Sequence, residues 1–122
     1  MMYHGRVGRY ELIFYEDARG ICQVRDYLRA QSKKVRGHAG WLLQRLEEDG
    51  PNLIRPSAAC LGDGIYELRI IAERRQHRIL YFFDREFIVA TNAFLKKSDR
   101  VPDAEIEKAK KTRAAWRGHR GK

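Results

Sequence analysis

The chain has 122 residues, of which 43% are hydrophobic, a formal net charge of +9 and a pI of about 9.9. That length fits one domain with one modest core, and no apolar run reaches the length of a membrane span. A small domain this basic is drawn to nucleic acid, ribosomes, anionic membranes or an acidic protein partner. The N-terminus lacks the apolar core of a signal peptide, so we expect a cytoplasmic protein without a membrane partner.

An apolar run near the start of the chain predicts the first strand. Residues 10–15 read YELIFY, and the acidic Glu16 and Asp17 follow them. Carboxylates favour the first turn of a helix, so these two residues are expected to end the strand and begin a helix. The preceding residues 1–8 are polar and include two glycines. We expect that segment to be flexible.

Two helices are predicted next. Residues 18–31 and 35–49 both carry apolar side chains at helical spacing, and Gly50-Pro51 would end the second helix. Two antiparallel helices joined by a short turn can cover one face of a sheet. Trp41 belongs to the apolar residues of the second helix. We interpret it as a core residue, with a partner contact as the alternative.

Three strand-like runs follow within a short stretch of the chain. Residues 65–71, 77–83 and 87–94 are rich in β-branched and aromatic residues and are separated by short polar breaks. This pattern predicts an antiparallel meander. Residues 52–63, just before it, show little periodicity. We interpret them as a connector.

Side-chain alternation assigns two different faces to the first strand of the meander. Tyr66, Leu68 and Ile70 fall on one face, and Glu67 and Arg69 fall on the other. One face can therefore pack a core while the other carries charge. A sheet that presents arginine, glutamate and lysine on one side suits a polyanion.

The end of the chain predicts a final helix and a short tail. Pro102 suits the first helical position, and acidic residues early in the segment with basic residues late in it complement the helix dipole. We expect Trp116 and His119 to lie beyond this helix and residues 118–122 to be flexible. The whole order predicts a single α+β domain over residues 1–122. In it a small antiparallel-rich sheet packs on a helical hairpin, with a C-terminal helix.

Cysteine and histidine spacing indicates neither a disulfide framework nor a metal site. Cys22 and Cys60 form no CxxC pair, and free thiols in a reducing cytosol are the simpler interpretation. The four histidines show no HExxH or comparable ligand spacing. We expect no structural metal and no cofactor.

The ordered segments YELR, HRILYFF and AFLKK, followed by VPDAEIEKAK, resemble the phage-derived HigB-like branch of the RelE/ParE toxin superfamily. The resemblance extends from Tyr10 to about Trp116. It implies the toxin of a type II toxin–antitoxin pair, a metal-independent endoribonuclease that cuts mRNA on the ribosome and inhibits translation. The implied partners are ribosome-bound mRNA and a cognate antitoxin, a helix-turn-helix protein. A ParE-like gyrase inhibitor and a non-catalytic RNA-binding relative stay open, because one fold supports several functions.

Arg78 is the first candidate for a site residue. It lies near the start of an otherwise apolar strand, where a guanidinium needs solvent or an anion. Its planar fork matches the geometry of a phosphate. The resemblance implies that an arginine here stabilises the phosphate undergoing cleavage. The alternative is a structural ion pair with Glu67 or Glu73.

Glu67 and Arg69 share a strand face, and by parity Arg78 can lie beside them. A carboxylate near two arginines could act as a general base. The same arginines favour its ionised form, however, which weakens it as a base. Glu67 could instead only orient the two arginines. The resemblance leaves the choice open, because several superfamily members have a lysine at this place.

Lysines and a basic turn complete the predicted site. Lys96 and Lys97 match an FxKK signature of the resembled branch, which implies that they hold the RNA backbone or neutralise the leaving group. Arg74, Arg75 and His77 lie at the turn between two strands, and we predict that they contact the RNA backbone. No residue is assigned as the general acid.

The predicted helical hairpin carries a second basic region. It is either a solvated helix face, a surface for ribosomal RNA or a surface for an acidic antitoxin, and the sequence does not separate these. The region consists of Arg25, Arg29, Lys33, Lys34 and Arg36.

Overall fold

The computed structural model describes residues 9–120. This part of the chain forms one mixed sheet of five strands and three α-helices, which confirms the α+β fold predicted from the sequence. In chain order the elements are β1 (Glu11–Phe14), α1 (Gln23–Arg29), α2 (Lys33–Asp49), β2 (Ala58–Gly62), β3 (Ile65–Ala72), β4 (Arg75–Asp84), β5 (Phe87–Lys96) and α3 (Asp103–Arg120).

The strands are arranged in the order β1-β5-β4-β3-β2. Strands β3, β4 and β5 form the predicted antiparallel meander, and β1 pairs with β5 in parallel. The helical hairpin connects β1 at one edge of the sheet to β2 at the other edge, and the chain then returns through β3 and β4 to β5, which lies beside β1. The meander therefore lies in the centre of the sheet, with β1 and β2 at its edges.

Strand β2 lies in the segment that the sequence predicted as a connector. It pairs antiparallel with β3, with Ala58 opposite Leu68 and Ala59 opposite Glu67. Both alanines are buried. Small residues give a weak local β signal, so the pairing depends on the neighbouring β3 rather than on local propensity.

Helix α1 begins later than predicted, at Gln23. The Asp17 carboxylate accepts hydrogen bonds from the backbone N–H groups of Arg19 and Ile21, at 2.8 and 2.9 Å. These bonds form a turn in which Gly20 has a positive φ of 84°. The acidic residues after β1 therefore stabilise a turn, and the prediction that a helix begins there was wrong.

Helix α3 is longer than predicted and includes both Trp116 and His119. The indole Nε1 of Trp116 donates a hydrogen bond to Asp84 Oδ2 at 2.6 Å, which anchors the C-terminal half of α3 to the sheet. The predicted flexible tail is helical as far as Arg120. Residues 1–8 and 121–122 lie outside the described part of the chain.

The sheet has a separate apolar core on each face. Helices α1 and α2 cover one core, which includes Leu46, Leu68 and Ile79. Helix α3 covers the other, which includes Leu80 and Ala109. Within residues 9–120 no helix is long and apolar enough to cross a membrane.

Trp41 does not belong to either core. It is 54% exposed, so the interpretation as a core residue was wrong. Val35, Ala39, Leu42 and Leu46 form the buried stripe of α2 at spacings of three and four residues. Trp41 lies beside this stripe, on the side of the helix that faces away from the sheet.

Candidate active site

Glu67, Arg69 and Arg78 meet on the sheet face that α3 partly covers. Arg69 and Arg78 are directly opposite each other on β3 and β4. Glu67 Oε1 accepts a hydrogen bond from Arg78 Nε at 2.9 Å. Its other oxygen, Oε2, accepts from Arg69 Nε and Nη2 at 3.1 and 2.9 Å. We call these three residues the charged cluster, and side-chain alternation predicted their proximity.

Burial separates the two arginines of the charged cluster. The side chains of Glu67 and Arg78 are each 5% exposed, whereas that of Arg69 is 22% exposed. Burial lowers the pKa of Arg78, and the nearby Glu67 carboxylate opposes that shift. A guanidinium nevertheless stays protonated in proteins. The buried carboxylate is thus held between two cations, one enclosed and one that reaches solvent.

Further hydrogen bonds fix Arg78 in place. Its Nη1 donates to the backbone carbonyl of His77 at 3.2 Å, and its Nη2 donates to Gln76 Oε1 at 2.9 Å. The ion pair with Glu67 therefore exists, as the structural alternative for Arg78 proposed. Glu73 takes no part in it and instead accepts a hydrogen bond from Ser32 Oγ at 2.8 Å.

Lys96 lies on the same sheet face as the charged cluster. It is opposite Gln76 in the β4–β5 register, two residues along from the pair formed by Phe94 and Arg78. Its ammonium donates a hydrogen bond to the Ser98 carbonyl at 2.6 Å. Lys97 follows the end of β5 and is exposed. Lys96 thus adds positive charge to this face beside Gln76, two strands away from Arg69, and Lys97 lies at the end of β5.

Arg74 and Arg75 are exposed where β3 turns into β4. Glu73 and Arg74 both have positive φ angles, 52° and 64°, in this two-residue turn. Consecutive left-handed residues are typical of a type I′ hairpin, which usually has asparagine or glycine there. The turn presents both arginines to solvent, as a contact with an RNA backbone requires.

His77 lies on the opposite face of the sheet from Arg78, as its parity predicts. It is 1% exposed, and its Nδ1 is 2.6 Å from the Tyr27 hydroxyl. Burial lowers the pKa of His77, and the charge of Arg75 lowers it further. An enclosed, neutral ring is not available to RNA. The structure therefore does not support the prediction that His77 contacts the RNA backbone.

Two polar residues near the charged cluster were missed in the sequence. Gln76 is the third partner of Arg78. Asn92 is 3% exposed, and its Nδ2 donates to the backbone carbonyl and Oε1 of Glu105 at 3.2 and 2.9 Å. This contact ties the N-terminal part of α3 to β5. The signal was a polar Thr91-Asn92 pair inside an otherwise apolar strand.

Metal-binding side chains do not cluster in the described part of the chain. Among residues 9–120 no group of three or more His, Cys, Asp or Glu side chains is placed to hold a metal ion. Cys22 is buried and Cys60 is exposed, and both are free thiols.

The fold and the charged cluster define a small basic α+β protein with an arginine and lysine surface on one sheet face. The family model described as "Phage derived protein Gp49-like (DUF891)" matches residues 26–114, which is more than half of the chain. The chain therefore belongs to this Gp49-like family of phage-derived proteins, a RelE/toxin-like family that is associated with toxin-like proteins. No curated protein matches the chain.

Proposed function

We propose that the chain is the toxin of a type II toxin–antitoxin pair and cuts mRNA on the ribosome. The observation that carries this proposal is the charged cluster, in which Glu67 holds Arg69 at the surface with two hydrogen bonds. Lys96 and the exposed Arg74 and Arg75 add positive charge that can bind an RNA backbone. The membership of a toxin-like family supports the same function.

Each residue has a separate role in the proposed reaction. The ribose 2′-hydroxyl loses its proton to solvent as its oxygen attacks the adjacent phosphorus. The bond from phosphorus to the 5′-oxygen breaks, that oxygen takes up a proton from solvent to leave as a 5′-hydroxyl, and a 2′,3′-cyclic phosphate forms. Arg69 touches the phosphate and stabilises the charge that develops on it, because preorganised donors act most strongly in the transition state. Lys96 and Lys97 assist at the surface. Arg78 acts through Glu67 as a positioning residue, since it is enclosed.

Glu67 orients the arginines in this proposal and is not the general base. Both of its oxygens already accept hydrogen bonds from guanidinium groups, at 2.9 to 3.1 Å. A carboxylate used in this way is a weak proton acceptor. The site is therefore rich in phosphate-binding groups and poor in proton transfer. It depends on the ribosome to align the 2′-hydroxyl, and alignment alone contributes several kcal/mol.

The test is induction of the protein in growing cells, with pulse labelling of new protein and new DNA. We expect protein synthesis to stop first. A block of DNA synthesis with an SOS response would contradict the proposal and would favour the gyrase inhibitor on the same fold. Normal synthesis of both would favour a non-catalytic RNA-binding relative.

A further inference from the structure

Helix α2 presents a large aromatic side chain to solvent on the side away from the sheet. Trp41 is 54% exposed, although Ala39 before it and Leu42 after it are buried. Exposed tryptophan is costly to leave in water, and tryptophan is enriched among the residues that dominate protein interfaces. Nothing in either core of the described fold requires an aromatic ring at this position.

The Trp41 ring is held in place by its neighbours on the same helix. The His38 ring stacks on it with centroids 6.1 Å apart and planes 21° apart. The guanidinium of Arg45 lies 5.2 Å from the ring centroid. These residues are three before and four after Trp41, so they flank it along the helix axis. These two neighbours hold the ring in place, and Trp41 as a whole still remains 54% exposed.

Two glycines leave the helix surface beside Trp41 bare. Gly37 and Gly40 are exposed within α2, and a Cβ added to either would meet nothing within 4 Å. Glycine in a helix interior costs about 1 kcal/mol relative to alanine. The described fold gives no reason for this cost at either position. Two glycines alone define no surface, but next to an exposed tryptophan they permit the backbone of a partner to approach closely.

The first turn of α2 carries three exposed cations, Lys33, Lys34 and Arg36. Within residues 9–120 no carboxylate lies within ion-pair distance of them, and the first turn of α2 has no acidic residue. Cations at a helix N-terminus are opposed by the helix dipole. Arg36 donates a hydrogen bond to the Gln31 carbonyl, and the Glu73 carboxylate, which accepts from the N-cap Ser32, offsets only part of this positive charge. Carboxylates of an acidic partner would make the electrostatic energy of these cations favourable.

We propose that this surface binds an acidic segment of a partner protein. The surface, which we call the α2 face, consists of Lys33, Lys34, Arg36, Gly37, Gly40 and Trp41. Carboxylates of the partner meet the three cations, and an aliphatic side chain lies over the glycines against the edge of the indole. That the partner is the antitoxin rests on the proposed function.

The observations favour a protein over RNA as the occupant. A base binds to an aromatic residue by stacking on the face of the ring. His38 already stacks on the Trp41 ring and the Arg45 guanidinium lies over it, so a base would compete with both for the ring. The α2 face also lies across the sheet from the charged cluster. A partner that binds only here would leave Arg69 open to solvent, so neutralisation would act by blocking the ribosome or through a second segment.

The experiment measures binding by titration calorimetry to the protein encoded in the adjacent reading frame. Trp41→Ala should weaken the Kd about 30-fold or more, as expected for an interface hot spot. The double variant Gly37→Leu/Gly40→Leu should raise the melting temperature of the chain and still weaken the Kd. The matched control is Ile54→Ala, which removes a side chain that is 68% exposed elsewhere on the surface. Its Kd should equal that of the wild type.

A more stable glycine variant that binds the partner more weakly would show that Gly37 and Gly40 act in binding and not only in the folding of α2. Unchanged affinity of the Trp41 and glycine variants, or no binding of the adjacent protein to the wild type, would overturn it. Weaker binding of a single-stranded RNA oligonucleotide to Trp41→Ala, with partner binding intact, would assign the surface to RNA and also overturn it. Translation in induced cells without the partner is measured in parallel. A wild type that leaves translation intact refutes the proposed function, while calorimetry still tests the α2 face.

Discussion

Two neighbouring residues on β4 are buried on opposite faces of the sheet in opposite ways. His77, 1% exposed, lies under the helical hairpin beside Tyr27, and its surroundings lower its pKa so that the ring stays neutral. Arg78, 4% exposed, lies on the α3 side, keeps its charge and pairs with Glu67. An ionisable side chain inside an apolar strand is therefore accommodated in one of two ways. Either it stays neutral, as His77 does, or it pairs with an opposite charge, as Arg78 does with Glu67.

The difference indicates which face holds the site. The His77 face ends in a packed core, where the Nε2 atom of the ring has no partner among the described residues. The Arg78 face continues through Glu67 to Arg69, which reaches solvent. Only on the Arg78 face is a buried charge connected, through Glu67, to a cation that reaches solvent and can bind phosphate. The following predictions, in order of size, test this contrast.

Removing the buried charge should have the largest effect. Arg78→Met leaves Glu67 enclosed with one counter-charge, and breaking a buried ion pair costs about 3–5 kcal/mol. The free energy of unfolding, measured with urea, should fall by that amount. The double variant Glu67→Leu/Arg78→Met should recover part of the loss, because both members of the pair are then apolar. A cost below about 1 kcal/mol for Arg78→Met would show that the pair does not hold the cluster together.

Removing Arg69, the partly exposed arginine of the charged cluster, should affect activity more than folding. Arg69→Ala leaves the pair between Glu67 and Arg78 intact and deletes the group that we propose touches the phosphate. Loss of one preorganised donor costs roughly a hundred- to a thousandfold in rate. The matched control is Arg85→Ala, which removes one positive charge from a side chain that is 65% exposed at the other end of β4. Equal cleavage rates for the two variants on ribosome-bound mRNA would exclude Arg69 from the site.

The buried, neutral His77 should make the stability of the fold depend on pH. Because the pKa of His77 is lowered in the fold, the unfolded chain takes up a proton below its ordinary value of 6.5 while the folded chain does not. The stability should therefore fall as the pH drops below about 6.5. Tyr27 contacts the ring, and the charges of Arg75, Glu73 and, from the other face of the sheet, Arg78 act on its pKa.

His77→Phe should remove this part of the pH dependence, and His38→Phe, at a position on α2 outside the core, should retain it. Urea denaturation at several pH values between 5 and 8 measures both variants. An unchanged pH profile for His77→Phe would mean that another group causes the loss of stability.

Local patterns predicted those parts of the fold that alternate regularly. Period-two alternation placed Glu67 and Arg69 on one face, and the register of β3 with β4 then brought Arg78 to them. The strand β2 could not be predicted in this way, because Ala58 and Ala59 carry little β propensity and depend on pairing with β3.

The burial of the site could not be predicted from local sequence patterns. Enclosure of Arg78 depends on packing across the sheet and from the loop before α3, where Phe94 and Val101 are buried. The exposure of Trp41, in contrast, could have been predicted. Buried residues of α2 at 35, 39, 42 and 46 already complete a helical stripe, and position 41 lies outside it.

The most direct test of the proposed cleavage mechanism is to identify the terminal groups of the cut RNA. Purified protein is added to the same mRNA either free or in a stalled translation complex, and the products are analysed for their terminal groups. We expect efficient cutting only on the ribosome, with a 5′-hydroxyl and a 2′,3′-cyclic phosphate or 3′-phosphate on the products. Efficient cutting of free mRNA, or products that carry 5′-phosphates, would contradict it.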